Sequence, residues 1–234
     1  MYVSKIKKPL VLSVLFFLPV LFLLFLYPSK HNYETLDIVQ TNIPELYDFK
    51  TLDGDSIQLE GHLSVVGFLG NSPMDDATFA LNLKELIYDK FLGFKRFQVL
   101  ALVPYSAKHQ VLELNKELNA FAPLQYWKFA FGTDKAIREA YTNFKITRPL
   151  TRNLSSQHVF VVDRERHQRG RLDDRIKSEI ESNAFVYAMT SYDVLEISDL
   201  KNKMSDDIRI LFTEYRQKRK GNFSSTTRRA NDLK

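Results

Sequence analysis

Apolar positions along the chain fall into three patterns: one long unbroken run, several short runs, and stretches at helical spacing. The long run is Pro9 to Tyr27, PLVLSVLFFLPVLFLLFLY, with no charged residue over 19 positions. As a helix rising about 1.5 Å per residue it reaches roughly 28 Å, the thickness of one hydrocarbon core. It is apolar all round, unlike the amphipathic helices of soluble cores. The pattern predicts a transmembrane helix over 9–27, in which Pro19 is tolerable. Lys5, Lys7 and Lys8 precede the run, while Lys30 is followed by Glu34 and Asp37. That asymmetry makes residues 1–8 a cytoplasmic basic end and sends the body outside. A cleaved signal peptide is the competing reading. The run is longer than an ordinary h-region, and no A-x-A pattern precedes Pro28-Ser29-Lys30.

Residues 28–42 read as a polar tether and 43–220 as one folded domain. Asp53-Gly54 between two short alternating runs predicts a hairpin. Val65 to Leu69 and Phe97 to Val103 are continuous apolar runs, as expected of strands covered on both faces. Trp127, Phe129 and Phe131 alternate, giving a strand with an aromatic face. Val159 to Val162 is a fourth strong strand. Between them lie helical spacings: Phe79, Leu83, Leu86, Ile87 and Phe91, then Val111, Leu114, Leu118 and Phe121. Thr133 to Phe144 reads as a third helix, capped by Thr133 or Asp134. Ile197, Leu200, Met204, Ile208, Leu211 and Tyr215 mark a long C-terminal helix. Arg164 to Arg175 is a dense charged turn, and 221–234 reads as a disordered basic tail.

Strands alternating with helices predict an α/β fold, a central sheet flanked by helices. The order hairpin, β, α, β, α, β, α, β, charged hairpin, α is that of a peroxiredoxin-like elaboration of the thioredoxin fold. A flavodoxin-like sheet is the runner-up, but Gly70-Asn71-Ser72-Pro73 makes a poor phosphate loop.

Charge changes the picture less than its total suggests. The 234 residues hold 33 Lys and Arg against 28 Asp and Glu. Yet three of the basic residues precede Pro9 and seven follow Tyr215. The body between keeps 23 basic and 27 acidic residues, a net charge of −4. That balance argues against a basic nucleic-acid-binding face spread over the fold. The chain has no cysteine. That removes disulfides, thiolate metal sites, a Cys nucleophile and a CxxC couple. No Ser-His-Asp order, HExxH, Walker loop or GxGxxG is present.

The anchor, Asp53-Gly54 followed by VVGFLGNSP, GFKRFQVLALVP, and Trp127 with Phe129, Phe131 and Gly132 together resemble the SCO/SenC family. HVFVVDRERHQRGRLDDR and SYDVLEISDLKNKMSDDIRILFTEY extend the match, which covers about residues 40 to 216. The chain looks most similar to cysteine-free SCO-like membrane or secreted proteins of Bacteroidetes. The resemblance implies a membrane-anchored thioredoxin-like domain linked to copper delivery and cytochrome c oxidase assembly. It also implies where the family site stands. If Ser72-Pro73 takes the Cys-Pro position, the second cysteine falls at Asp76 and the distal His near Ser155. Copper is implied by the family only, since a hydroxyl and a carboxylate replace two thiolates.

Read without the family, Ser72 is an N-cap, Pro73 a first helical residue, and Asp75 and Asp76 first-turn acids. A divalent metal on Asp75, Asp76 and His158 is the sharper alternative. His158 otherwise reads as a core-edge histidine with a satisfied ring. His167, crowded by arginines, is dismissed as a ligand. Arg164, Arg166, Arg169 and Arg171 read as a solvated hairpin with internal ion pairs, or as a partner contact. The expectation is a non-catalytic binding or assembly factor with no resident cofactor. It sits in the inner membrane as a single-pass protein with its domain in the periplasm. Its partner is an inner-membrane or periplasmic protein, by resemblance the respiratory oxidase. The alternatives are a metal carrier or enzyme using the Ser72–Asp76 turn, and a structural envelope protein.

Overall fold

A computed structural model describes residues 3–26, 34–120 and 122–221. The chain divides into two units, residues 1–33 and 34–234. In the first, α1 (Val3–Leu26) is a 24-residue helix with Pro9 and Pro19 inside it. Its described side chains, Pro9 and residues 11–25, are all exposed. Among the described residues no helix is long and apolar enough to cross a membrane. The expected anchor is therefore seen as a helix and not shown as a span. Tyr27 and the start of the tether lie outside the described residues, as does the tail from residue 222.

The second unit begins earlier than the sequence pattern suggests. The end of the expected tether is a strand, β1 (Asp37–Gln40), with Leu36 and Asp37 buried beside it. The other strands are β2 (Leu63–Phe68), β3 (Phe97–Pro104), β4 (Trp127–Gly132), β5 (His158–Val162), β6 (Gln168–Gly170) and β7 (Tyr192–Asp193). Among the described residues they form one seven-stranded sheet in the order β1-β6-β5-β2-β3-β4, with β7 also paired to β5. The half made of β2, β3 and β4 is parallel; β5 joins β2, and β6 joins β5, antiparallel. A βαβ half beside an antiparallel hairpin is the thioredoxin-like plan. The extra strand and helix between β3 and β5 give its peroxiredoxin-like elaboration.

The crossovers are helical. After β2 come α2 (Ala77–Leu83), a π-helical turn (Lys84–Tyr88) and α3 (Asp89–Phe91). α4 (Lys108–Asn119) follows β3, and α5 (Asp134–Thr142) follows β4. The short α6 (Lys177–Glu181) lies between β6 and β7. A second π-turn (Asp199–Met204) leads into α7 (Ser205–Arg219). Thr133 caps α5 as expected, its hydroxyl accepting from the Ala136 N–H at 3.1 Å. The predicted hairpin survives in small form. Lys50 pairs with Ser56 around Gly54, whose φ is +88°, and Lys50 also pairs with Phe131 at the β4 edge.

Alternation sorts the sheet residues into two cores. Val65, Val99, Phe129 and Val161 face α2, α4 and α7. Val66, Leu100, Ala130 and Phe160 face α5 and the segment Ile43–Leu59. This is why β2 and β3 read as unbroken apolar runs: neither face meets water. Phe68 anchors the second core, its ring edge-on to Tyr141 with centroids 4.9 Å apart.

Candidate functional site

The candidate site grows from the turn after β2. Gly70 has φ +67°, and a Cβ there would lie 2.2 Å from the Asn153 carbonyl oxygen. Only glycine lets the turn approach the 151–155 loop this closely. The two segments then lock. Leu69 bridges Ser155 antiparallel, the Asn71 N–H donates to Asn153 O at 2.8 Å, and the Ser156 N–H donates to Phe68 O at 2.9 Å. Within the loop, the Ser155 N–H donates to Thr151 Oγ1 at 3.0 Å, and the two hydroxyls lie 2.9 Å apart.

Ser72 does not cap a helix here. Its carbonyl accepts from the Asp75 N–H at 3.0 Å, closing a turn, and α2 starts only at Ala77. Pro73 is buried, and the Met74 N–H donates to Gln110 Oε1 of α4 at 3.3 Å. These tertiary contacts pull residues 72–76 into turns, so the capping expectation is corrected. Asp76 flanks the helix, but its carboxylate makes no capping bond. It shares a cleft with the Ser155 hydroxyl, which favours its charged form. Burial, then repulsion from Asp75, holds the Asp76 carboxyl above its ordinary value; the nearby Ser155 hydroxyl opposes both.

Asp75, Asp76, Ser155 and His158 line one cleft of about 650 Å³, with Thr78 and Arg148 beside them. Four of the residues singled out by sequence thus come together, whereas Ser72 and Pro73 do not line the cleft. His158 Nδ1 lies 3.2 Å from Ser191 Oγ, but its Nε2 is buried without a partner among the described residues. The expected satisfied ring is half satisfied. Burial, with Arg148 adding to it, holds His158 below its ordinary value, and Asp193 and Asp199 only partly oppose this.

Among the described residues no group of three His, Asp or Glu side chains could hold a metal ion. Asp75, Asp76 and His158 share a cleft without forming a ligand set. The donor chemistry does not fit copper in the reduced state either. Cu(I) favours thiolate and thioether ligands, and this cleft offers a hydroxyl, two carboxylates and a neutral imidazole.

The charged turn is less solvated than its composition suggests. Arg169 is fully buried. Its guanidinium donates to Asp163 at 3.0 Å, to Glu214 at 2.9 Å and to the Leu36 carbonyl at 2.9 Å. Burial works against its charge, but Glu214 and Asp163 outweigh it and raise its pKa. Arg171 spans Asp207 at 2.7 Å and Asp174 at 2.9 Å. Asp207 also accepts from the Tyr192 hydroxyl at 2.7 Å. Arg169 is therefore not a partner contact, and Arg171 is held by an internal ion-pair network. Arg166, at φ +63°, reaches the Ile43 carbonyl at 3.4 Å. His167 Nδ1 accepts from the Asn42 N–H at 3.2 Å. Asp207 and Glu214 were visible in the sequence as two acids seven apart on the apolar stripe of the C-terminal helix. That spacing, and not the arginine density, is the signal for a buried network.

No family model matches the chain, and no curated protein matches it. Solved structures do. The chain is similar to BsSco, a member of the Sco family of cytochrome c oxidase assembly proteins, at 14% identity and TM-score 0.45, over 74% of this chain and 91% of that one. It is similar to the soluble domain of Sco1 from Bacillus subtilis at 12% identity and TM-score 0.44, over 74% and 92%. A peroxiredoxin-like protein from Aquifex aeolicus matches at 14% identity and TM-score 0.41, over 76% and 88%. What the strand order shows by itself is a peroxiredoxin-like elaboration of the thioredoxin fold that contains no cysteine.

Proposed function

We propose that the chain is a membrane-anchored, exported thioredoxin-like factor without thiol chemistry, which binds a protein partner through the Asp76–His158 cleft. The observation that carries this reading is that Asp76, Ser155 and His158 line one cleft. By the SCO-like resemblance Asp76 and Ser155 are the positions of the second cysteine and the distal histidine. On that reading a carboxylate and a hydroxyl stand where the family carries its reactive groups. A cleft of this size with an acidic wall and one arginine suits recognition better than catalysis. The uncharged run Pro9–Tyr27 supports the anchor, and the resemblance points to respiratory oxidase assembly as the setting.

The test is crosslinking of the full chain in native membranes, followed by capture and identification of bound proteins. The expected result is a membrane partner whose crosslink is lost in Asp76→Lys and kept in a surface control such as Lys116→Glu. Deleting the gene and measuring oxidase haem and copper tests the setting separately. Unchanged oxidase would sink the oxidase link while leaving the binding role standing.

A further inference from the structure

On the side away from the cleft, three separate segments form a second groove of about 460 Å³. The loop before β3 supplies Lys95 and Arg96, the β5–β6 turn supplies Arg164, and the end of α7 supplies Arg216 and Arg219. Among the described residues no acidic side chain lines it, and none of these five cations is held in an ion pair. By contrast, Arg169, Arg171 and Arg175 are each paired with a carboxylate within the fold.

The groove is also built, not a loose scatter of charges. Phe94 stacks on Phe212 with ring centroids 3.8 Å apart, giving a rigid apolar floor. The Arg164 guanidinium lies 5.3 Å from the centre of the Tyr215 ring. Its backbone N–H donates to the Tyr215 hydroxyl at 3.1 Å, and its Nε–H donates to the Gly61 carbonyl at 3.3 Å. Among the described residues the terminal N–H groups of Arg164 are therefore positioned but unused. The field is felt nearby: after burial, Lys128, Arg96 and Arg164 push His62 below its ordinary value. Compensation of the α7 dipole accounts for Arg216 and Arg219 alone. It gives no reason for Lys95, Arg96 and Arg164, which come from other elements.

We propose that this groove binds a phosphate-bearing anion, gripped by the arginine forks over the aromatic floor. Arg suits this task because its planar donors match phosphate oxygens in pairs. The same chemistry is offered by an anionic lipid headgroup and by a free phosphate. The site is distinct from the Asp76–His158 cleft and does not depend on the role proposed for it.

The full chain, purified in a neutral detergent, is titrated calorimetrically with three probes: inorganic phosphate, dihexanoyl phosphatidylglycerol and dihexanoyl phosphatidylcholine. The groove variant is Arg96→Gln with Arg219→Gln; the control, Lys177→Gln with Lys201→Gln, removes the same charge elsewhere. Saturable binding of phosphatidylglycerol over phosphatidylcholine, weakened at least tenfold in the groove variant and unchanged in the control, supports the site with a lipid source. Phosphate binding of equal strength with the same variant pattern supports it with a soluble source. Equal binding of both lipids, equal loss in the control, or no binding by any probe at millimolar concentration overturns it. Far-ultraviolet circular dichroism of both variants verifies that they are folded, since all four positions are at the surface.

Discussion

Arg169→Met tests the buried ion-pair cluster directly. Arg169, Asp163 and Glu214 each have side-chain exposure of 1% or less. Removing the cation leaves two buried carboxylates without their shared partner. Breaking a buried pair in this way costs about 3–5 kcal/mol. Compensation here favours the lower end. Asp163 keeps the N–H groups of Glu165 at 3.0 Å and His167 at 2.7 Å, and Glu214 keeps Lys218 at 3.0 Å. The Leu36 carbonyl loses its donor as well. The expectation is a loss of about 3 kcal/mol. At a denaturant slope of about 2 kcal/mol per molar, the urea midpoint falls by roughly 1.5 M. The chain's single tryptophan, Trp127, is buried in β4 and supplies the fluorescence signal. The double variant Arg169→Met with Glu214→Leu removes one stranded charge and should recover more than half of the loss. A midpoint shift below about 0.3 M for the single variant would refute the reasoning, because the cluster would then carry almost no coupling. Failure of the double variant to recover would mean that the loss came from packing.

Three further outcomes follow from the same geometry. Gly70→Ala forces a side chain into a left-handed conformation, a cost of about 1–3 kcal/mol before any clash with Asn153; a urea midpoint equal to the parent's would show that the loop yields freely. Tyr192→Phe removes the hydroxyl bonded to buried Asp207 and is expected to cost about 1.5–3 kcal/mol, read from the same unfolding curves. The third concerns acid. His158 is held below its ordinary 6.5, so its contribution to stability is complete above that pH and is lost as pH falls from there toward the folded-state value. His158→Gln should make stability fall less between pH 7 and pH 5.5. His62 shifts in the same direction, so the slope is reduced and not abolished. An unchanged slope would exclude His158 as a contributor.

The parts of the fold legible in the sequence are those where burial and apolarity coincide. β2, β3 and β5 are covered on both faces and read as apolar runs, and Thr133 caps α5 through local chemistry alone. β6 was hidden because its buried side chains are polar. Gln168 is fully buried, yet its amide is satisfied by the backbone of Lys145 and by the Thr190 carbonyl. A reading that equates polar with exposed assigns it to a turn. β1 was lost to the tether for a related reason: four residues carry too little periodicity to outweigh their polar ends. At the site, Asp76 and Ser155, which the resemblance assigns to the family site, line one cleft. The Ser72 cap failed because a capping preference worth about 1 kcal/mol is outweighed by the burial of Pro73 and the bond to Gln110. The basic groove was illegible, because three segments far apart in sequence meet there only after folding.

The bond from Arg169 to the Leu36 carbonyl has a mechanical consequence. Any pull transmitted along the chain from the N-terminal side reaches the folded body at Leu36 and β1. A four-residue strand that, among the described residues, pairs only with β6 would peel away under a small load. Here the same guanidinium that holds Leu36 also grips Asp163 beside β5 and Glu214 on α7. Tension entering at the first strand is thereby shared with the sheet interior and the C-terminal helix. Arg169 works as a rivet between the first strand and the rest of the domain.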